Sequence, residues 1–121
     1  MQRTGAPQRI LVLDDNPDQV ETLAALLTLR GHRVERATSP LYALTLLRGF
    51  SPQIVFVDIG MPHMDGYEVL RRLRAQFKSA RVYAITGRAD DETARKVREV
   101  GFDGCLIKPV DFSVVEKLLA K

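Results

Sequence analysis

Five short apolar segments alternate with five segments of helical periodicity, and no other feature of this sequence constrains the fold as strongly. The predicted strands cover residues 10–13, 33–37, 53–57, 82–85 and 105–107. The first, third and fourth are the most apolar, as expected for strands buried on both faces of a parallel sheet. Five consecutive βα units predict one α/β domain with right-handed crossovers and a doubly wound sheet in the order 2-1-3-4-5.

Capping residues and glycines delimit the predicted helices. Asn16 and Ser39 each precede a proline, which is the residue order typical of a helix N-cap followed by the first helical position. These two helices are expected to close at Gly31 and Gly49. The third helix is predicted over 67–77, the fourth from residue 90 or 91 to 100, and the fifth after a cap at Asp111.

Composition narrows the class of protein further. A chain of 121 residues with 45% apolar and 27% charged residues is typical of one globular domain. Cys105 is the only cysteine, so no disulfide can form within the chain, and a cytoplasmic, reducing location is expected. The basic residues are spread along the chain, so direct contact with nucleic acid is not predicted. No apolar run approaches the length of about 20 residues that spans a membrane, and residues 1–8 are expected to be a flexible leader before a domain over 9–121.

Polar side chains follow four of the predicted strands. Asp14 and Asp15 come after the first strand, Asp58 after the third, Thr86 after the fourth and Lys108 after the fifth. Ligands of doubly wound sheets bind at the carboxyl ends of the strands, so these side chains are expected to converge. Three carboxylates repel one another unless a cation joins them, and their hard oxygens favour Mg²⁺ or Mn²⁺. A buried, unpaired ammonium is costly, so Lys108 is expected to pair with one of these carboxylates, and Asp58 is the expected partner.

This set of residues predicts phosphoryl chemistry. A carboxylate can act as a nucleophile toward a phosphoryl group, while a metal ion and the ammonium offset charge in the transition state. The hydroxyl of Thr86 could donate a hydrogen bond to the attached phosphoryl group. Taken singly, each residue could instead be a helix cap, a turn residue or an exposed side chain. The combined pattern at the ends of four strands favours a site.

Four sequence segments carry a resemblance to a known family. "ILVLDDNPD", "IVFVDIGMPHMDGYE", "AITG" and "GFDGCLIKPV" resemble the response-regulator receiver domain of two-component signalling, over residues 9–120. The wording of the motifs is closest to receivers of hybrid sensor histidine kinases. The resemblance implies a flavodoxin-like fold and a phosphorylation-dependent switch that accepts its phosphoryl group from a histidine kinase or a phosphotransfer protein. The chain would then be either a single-domain regulator or the receiver of a longer kinase.

The resemblance also implies roles for individual residues. Asp58 would be the phosphoacceptor, and Mg²⁺ would be held by Asp14, Asp15 and Asp58 with the backbone carbonyl of Gly60. Lys108 would contact Asp58 or the phosphoryl group, and its peptide bond to Pro109 would be cis. Thr86 would be the switch hydroxyl, and the output surface would consist of the fourth helix, fifth strand and fifth helix. The downstream partner is not predicted, and no membrane contact by this domain is expected.

One position departs from the pattern of the family. Receivers usually carry Tyr, Phe or His three residues before the lysine, and this chain has Cys105 there. A cysteine has no ring to turn inward, so a phosphorylation-independent interaction module with an altered switch is the alternative. A Mg²⁺-dependent aspartyl phosphatase is a weaker one, because Gly60 stands where such enzymes carry a second aspartate. No enzymatic activity is expected beyond self-phosphorylation from small donors and autodephosphorylation.

Overall fold

The computed structural model describes residues 6–60 and 66–121. Its strands are β1 (Arg9–Leu13), β2 (Arg33–Ala37), β3 (Ile54–Asp58), β4 (Arg81–Thr86) and β5 (Gly104–Ile107). Its helices are α1 (Pro17–Leu29), α2 (Pro40–Leu46), α3 (Gly66–Gln76), α4 (Asp91–Glu99) and α5 (Phe112–Leu119). All strand pairs are parallel in the order β2-β1-β3-β4-β5, so the predicted doubly wound sheet is confirmed.

The sheet separates two apolar clusters. Alternate residues of β1 point to opposite faces, so Leu11 packs toward α2, α3 and α4, whereas Ile10 packs toward α1 and α5. All five residues of β3 are buried, which agrees with the continuous apolar run in its sequence. Burial on both faces makes the centre of the sheet a rigid support for the side chains at its carboxyl edge.

The helix termini follow the predicted capping residues, with one difference. The side chain of Asn16 accepts hydrogen bonds from the amides of Asp18 and Gln19, and that of Ser39 caps α2. However, α2 ends at Leu46 rather than continuing to Gly49. The amides of residues 48 and 49 bond to carbonyls only three residues back, which tightens the end of the helix into a turn.

The fifth strand is less buried than its apolar sequence predicts. Leu106 is 4% exposed, but Cys105 is only half-buried and Ile107 is 44% exposed. The reason is that β5 pairs only with β4 and lies at the edge of the sheet. Ile107 therefore belongs to the surface beside α4, not to the core.

Hydrogen bonds join the beginning and the end of the described domain. The side chain of Gln8 donates to the carbonyl of Leu119 at 2.9 Å, and its backbone carbonyl accepts from Arg33. The backbone amide of Gln8 donates to Nδ1 of the buried His32. The leader expected over residues 1–8 stays a prediction, since residues 1–5 lie outside the described chain. Among the described helices, none is both long and apolar enough to cross a membrane.

A cap test follows from the N-terminus of α4. Asp90 accepts a hydrogen bond from the amide of Thr93, and this bond together with the side chains of Thr93 and Arg88 lowers the pKa of its carboxyl to about 2. We expect Asp90→Ala to lower the urea midpoint of unfolding at pH 7, whereas Asp90→Asn keeps a capping side chain and stays close to wild type. Because the folded pKa lies below the ordinary 3.8, the benefit of the carboxylate is complete above that pH and is lost as pH falls through about 2. An NMR titration of the carboxyl carbon that gives an ordinary pKa would contradict this prediction.

Candidate functional site

Two buried aspartates lie side by side because their strands are neighbours in register. Leu13 pairs with Val57 across β1 and β3, so the next residues along the two strands are Asp14 and Asp58. They are 2% and 3% exposed, respectively. Burying two neighbouring carboxylates is unfavourable unless positive charge or hydrogen bonds compensate their charges.

Lys108 supplies part of this compensation. Its ammonium nitrogen lies 2.9 Å from Oδ2 of Asp58 and 3.3 Å from Oδ2 of Asp14. The amide of Lys108 donates to the carbonyl of Thr86, which anchors this residue beside the end of β4, and the peptide bond to Pro109 is cis. The lysine that follows the apolar β5 therefore meets two carboxylates rather than solvent.

Backbone amides hold the remaining carboxylate oxygens. The amide of Gly60 donates to Oδ1 of Asp58 at 2.7 Å, and the amide of Asn16 donates to Oδ1 of Asp14 at 3.0 Å. In the described ranges, no buried side-chain nitrogen or oxygen lacks a hydrogen-bond partner. Each carboxylate is thus fixed by one amide and one ammonium contact.

Burial and neighbouring charges change the pKa of two residues at the site, Asp14 and Lys108. Burial raises the pKa of Asp14 to about 6 from its ordinary 3.8, and the neighbouring Asp58 adds to the increase. For Lys108, burial opposes the charged form, but its contacts with Asp58 and Asp14 outweigh this effect and raise the pKa. The ammonium is therefore charged at neutral pH, and the site still carries an excess of negative charge.

The donor set fits a hard divalent cation. Asp14, Asp15 and Asp58 each offer an oxygen, and the three oxygens lie within 4.8 Å of one another. Asp15 is exposed, so the group opens to solvent on one side and a hydrated ion could keep part of its water shell. Carboxylate oxygens without nitrogen or sulfur ligands suit Mg²⁺ or Mn²⁺.

The side chains of Thr86 and Cys105 make contacts of a different kind. The buried hydroxyl of Thr86 accepts a hydrogen bond from the amide of Arg88 at 3.0 Å, so it holds the start of the β4–α4 loop. Cys105 packs against the apolar cluster under α4, and burial raises the pKa of its thiol. The thiol is thus a packed, protonated group at neutral pH.

Two concave surfaces border the site, and the sequence interpretation did not identify either of them. A cleft of about 280 Å³ between α1 and the β5–α5 loop begins beside Asp14 and is lined by Leu23, Leu26, Val110 and Phe112. The second, a groove of about 380 Å³, is lined by residues of the β3–α3 and β4–α4 regions. The apolar Val110 and Phe112 just after Pro109 were the available signal for the cleft.

A parallel doubly wound sheet that gathers carboxylates and a lysine at its carboxyl edge is an arrangement suited to phosphoryl chemistry. The family model described as the response regulator receiver domain matches residues 10–120. The chain belongs to this family of two-component signalling proteins.

Relatives and solved structures agree with this assignment. The chain is 36% identical over 111 residues to the sensor histidine kinase RcsC of Salmonella typhimurium, covering 92% of this chain but only 12% of that kinase. A response regulator structure from Burkholderia pseudomallei has a TM-score of 0.81 at 32% identity, over 93% of this chain and 65% of that one. The chemotaxis response regulator CheY4 of Vibrio cholerae has a TM-score of 0.85 at 25% identity, over 94% of this chain and 97% of that one.

A metal-binding test follows from the exposure of Asp15. We expect Mg²⁺ to raise the melting temperature of the wild type, because an ion that binds only the folded state stabilises it. Asp15→Asn should lose most of this increase while its melting temperature without Mg²⁺ stays equal or rises, since removing one carboxylate relieves repulsion. Asp18→Asn, an acidic residue in the first turn of α1, is the matched control and should keep the increase. Equal Mg²⁺ responses in both variants would exclude Asp15 as a ligand.

Proposed function

We propose that this chain is a phosphorylation-dependent signalling switch in which Asp58 accepts a phosphoryl group from a phosphorylated histidine. The observation that carries the proposal is the contact of 2.9 Å between Asp58 and the Lys108 ammonium at a buried strand end, beside two further carboxylates. The donor would be a histidine kinase or a histidine phosphotransfer protein acting in the cytoplasm. We do not assign the kinase activity of relatives such as RcsC to this chain, since the chain spans only a small part of their length.

The chemistry is a transfer between nitrogen and oxygen. An oxygen of the Asp58 carboxylate forms a bond to phosphorus while the bond from phosphorus to the histidine nitrogen breaks, and its electron pair stays on the imidazole. Lys108 offsets the charge on the phosphoryl oxygens, and the Gly60 amide keeps the carboxylate oriented. Asp14, Asp15 and Asp58 would hold Mg²⁺, or Mn²⁺, together with the carbonyl of Gly60; the bound ion supplies further positive charge to the phosphoryl oxygens.

A solved relative supports this assignment of the phosphoacceptor and the metal. The Burkholderia pseudomallei response regulator was described with a phosphorylated aspartic acid and a calcium ion. The acidic group of the present chain offers oxygen ligands of the same chemical kind. A phosphatase is disfavoured by Gly60, because it contributes only a backbone amide where a second carboxyl would be needed.

The output would be a change in the surface formed by α4, β5 and α5. Phosphorylation of Asp58 would replace the single carboxylate charge with a phosphoryl group that carries about −1.5 to −2 charges at neutral pH, and the Thr86 hydroxyl would turn to donate to the new phosphoryl oxygens. Thr86 now accepts from the Arg88 amide, so its rotation would release the loop that leads into α4. Ile107 and Val114 are 44% and 40% exposed on this surface and offer apolar contacts to a partner.

Phosphorylation itself is tested with a small donor. Acetyl phosphate and Mg²⁺ should add the mass of one phosphoryl group to the wild type, and hydrolysis in base should remove it again. Asp58→Asn should gain no mass. Asp18→Asn, which keeps the carboxylates of the site, is expected to be phosphorylated like the wild type. Amide spectra that change only next to Asp58 on phosphorylation would favour the phosphorylation-independent module suggested by Cys105.

The donor protein must approach Asp58 across an exposed surface. The cleft between α1 and the β5–α5 loop is the surface that best suits its docking. It starts at Asp14 and is mostly apolar, with Leu26 on α1 facing Val110 and Phe112 after β5. These three side chains are half-buried, so they are accessible without unfolding the domain. We infer that an apolar helix of the donor protein packs here and places its histidine at the carboxylates.

This docking surface is tested by comparing two donors. Leu26→Asp should slow phosphotransfer from a phosphorylated histidine phosphotransfer domain about tenfold or more, because it places a charge in an apolar contact. Phosphorylation by acetyl phosphate should stay unchanged, since the small donor needs no docking surface. Leu29→Asp on the same helix, at a side chain that is 76% exposed, is the matched control and should transfer normally. Equal loss with both donors would instead indicate damage to the fold.

A further inference from the structure

Helix α4 is weakly attached to the rest of the domain. Val97 is its one buried residue among those the structure describes, and most of its other side chains are exposed and charged. A helix with so little apolar burial is held in place largely by contacts at its ends and along its sides. The side contacts of α4 therefore have a large influence on its position.

One such contact joins α4 to the first turn of α3. The ammonium of Lys96 lies 5.1 Å from the centre of the Tyr67 ring, which is within the range of a cation–π interaction. The Tyr67 ring is itself held by the core, because it packs edge to face against the buried Phe102, with 5.8 Å between the ring centres. Lys96 thus binds to a ring that is itself held by the domain.

The same ring borders the candidate phosphorylation site. Tyr67, Gly60, Thr86 and Lys96 line one groove, so the contact lies between the site and α4. This aromatic residue comes from α3, whereas the aromatic residue expected three positions before Lys108 is absent. Cys105 in that position packs under α4 but has no ring to couple the helix to the site.

A continuous series of contacts connects Thr86 to α4. Thr86 accepts from the amide of Arg88, whose side chain donates to Asp90 at 3.0 Å. Asp90 caps α4, and Lys96 lies further along the same helix. If Thr86 turns toward a phosphoryl group, the loop between β4 and α4 is released. Helix α4 is then free to move relative to Tyr67.

We propose that the Tyr67–Lys96 contact is a latch that holds α4 in the unphosphorylated position and so links this helix to the site, in a chain whose position 105 carries no ring. This inference rests on the proposed phosphorylation of Asp58. Tyr67 acts as a positioning residue through Lys96, without contacting the reacting atoms. Loss of the latch favours the activated arrangement, and by linkage it raises the affinity for any ligand that binds that arrangement better.

The test uses beryllofluoride, an analogue of the phosphoryl group, in the presence of Mg²⁺, with affinity measured by NMR titration. We expect Lys96→Gln and Tyr67→Leu each to tighten binding by about two- to fivefold, the size of one exposed cation–π contact. The double variant should bind no more tightly than either single one, since both remove the same contact. Lys96→Arg keeps a cation over the ring, so it should bind like the wild type.

The matched control is Arg95→Gln, which removes a neighbouring exposed cation of α4 that pairs with Glu99 instead. Arg95→Gln should not tighten the binding of beryllofluoride, because loss of a cation alone weakens the attraction for an anionic ligand. Unchanged or weaker binding by Lys96→Gln, or additive effects in the double variant, would overturn the latch while leaving the proposed function intact. A wild type that fails to bind beryllofluoride would overturn the proposed function, and the latch with it.

Discussion

The rest of the site depends on the placement of one ammonium group between two buried carboxylates. Lys108 reaches Asp58 and Asp14 because β5 ends at the same edge of the sheet as β1 and β3. The contact compensates only part of the cost of burying these carboxylates, and burial, with a smaller contribution from Asp58, still raises the pKa of Asp14. An arrangement with unsatisfied negative charge is a poor way to stabilise a fold, but it leaves electrostatic attraction available for a cation and a phosphoryl group.

The central strands and helix α4 differ in how much of their surface is buried in the core, and this difference suits a switch. The central strands are buried on both faces and fix the carboxylates, whereas Val97 is the one buried residue among those of α4 that the structure describes. Thr86 lies at the boundary, with a buried side chain on β4 that accepts a hydrogen bond from the amide of the loop residue Arg88. A small movement of this hydroxyl can therefore be passed to a helix that costs little to displace.

Much of the fold and most of the site could be predicted because each depended on local patterns. Apolar runs and capping residues such as Asn16 located the strands and helices, and the strand order followed from which runs were most apolar. The convergence of Asp14, Asp58 and Lys108 followed from parallel topology. The exposure of Ile107 was not predicted, since an apolar run looks the same at an edge as in the centre. The pairing of Tyr67 with Lys96 joins residues on different helices, and no spacing in the sequence indicates it.

The sequence by itself determined the alternation of strands and helices and the type of polar residue at the end of each strand. These properties depend on side-chain periodicity, capping and turn chemistry within a few neighbouring residues. The tertiary structure alone decided the distances within the carboxylate group, the protonation balance of Asp14 and the contacts that hold α4. Those depend on burial and on how distant segments pack, because the energy of a charge or a ring is set by the atoms around it in space.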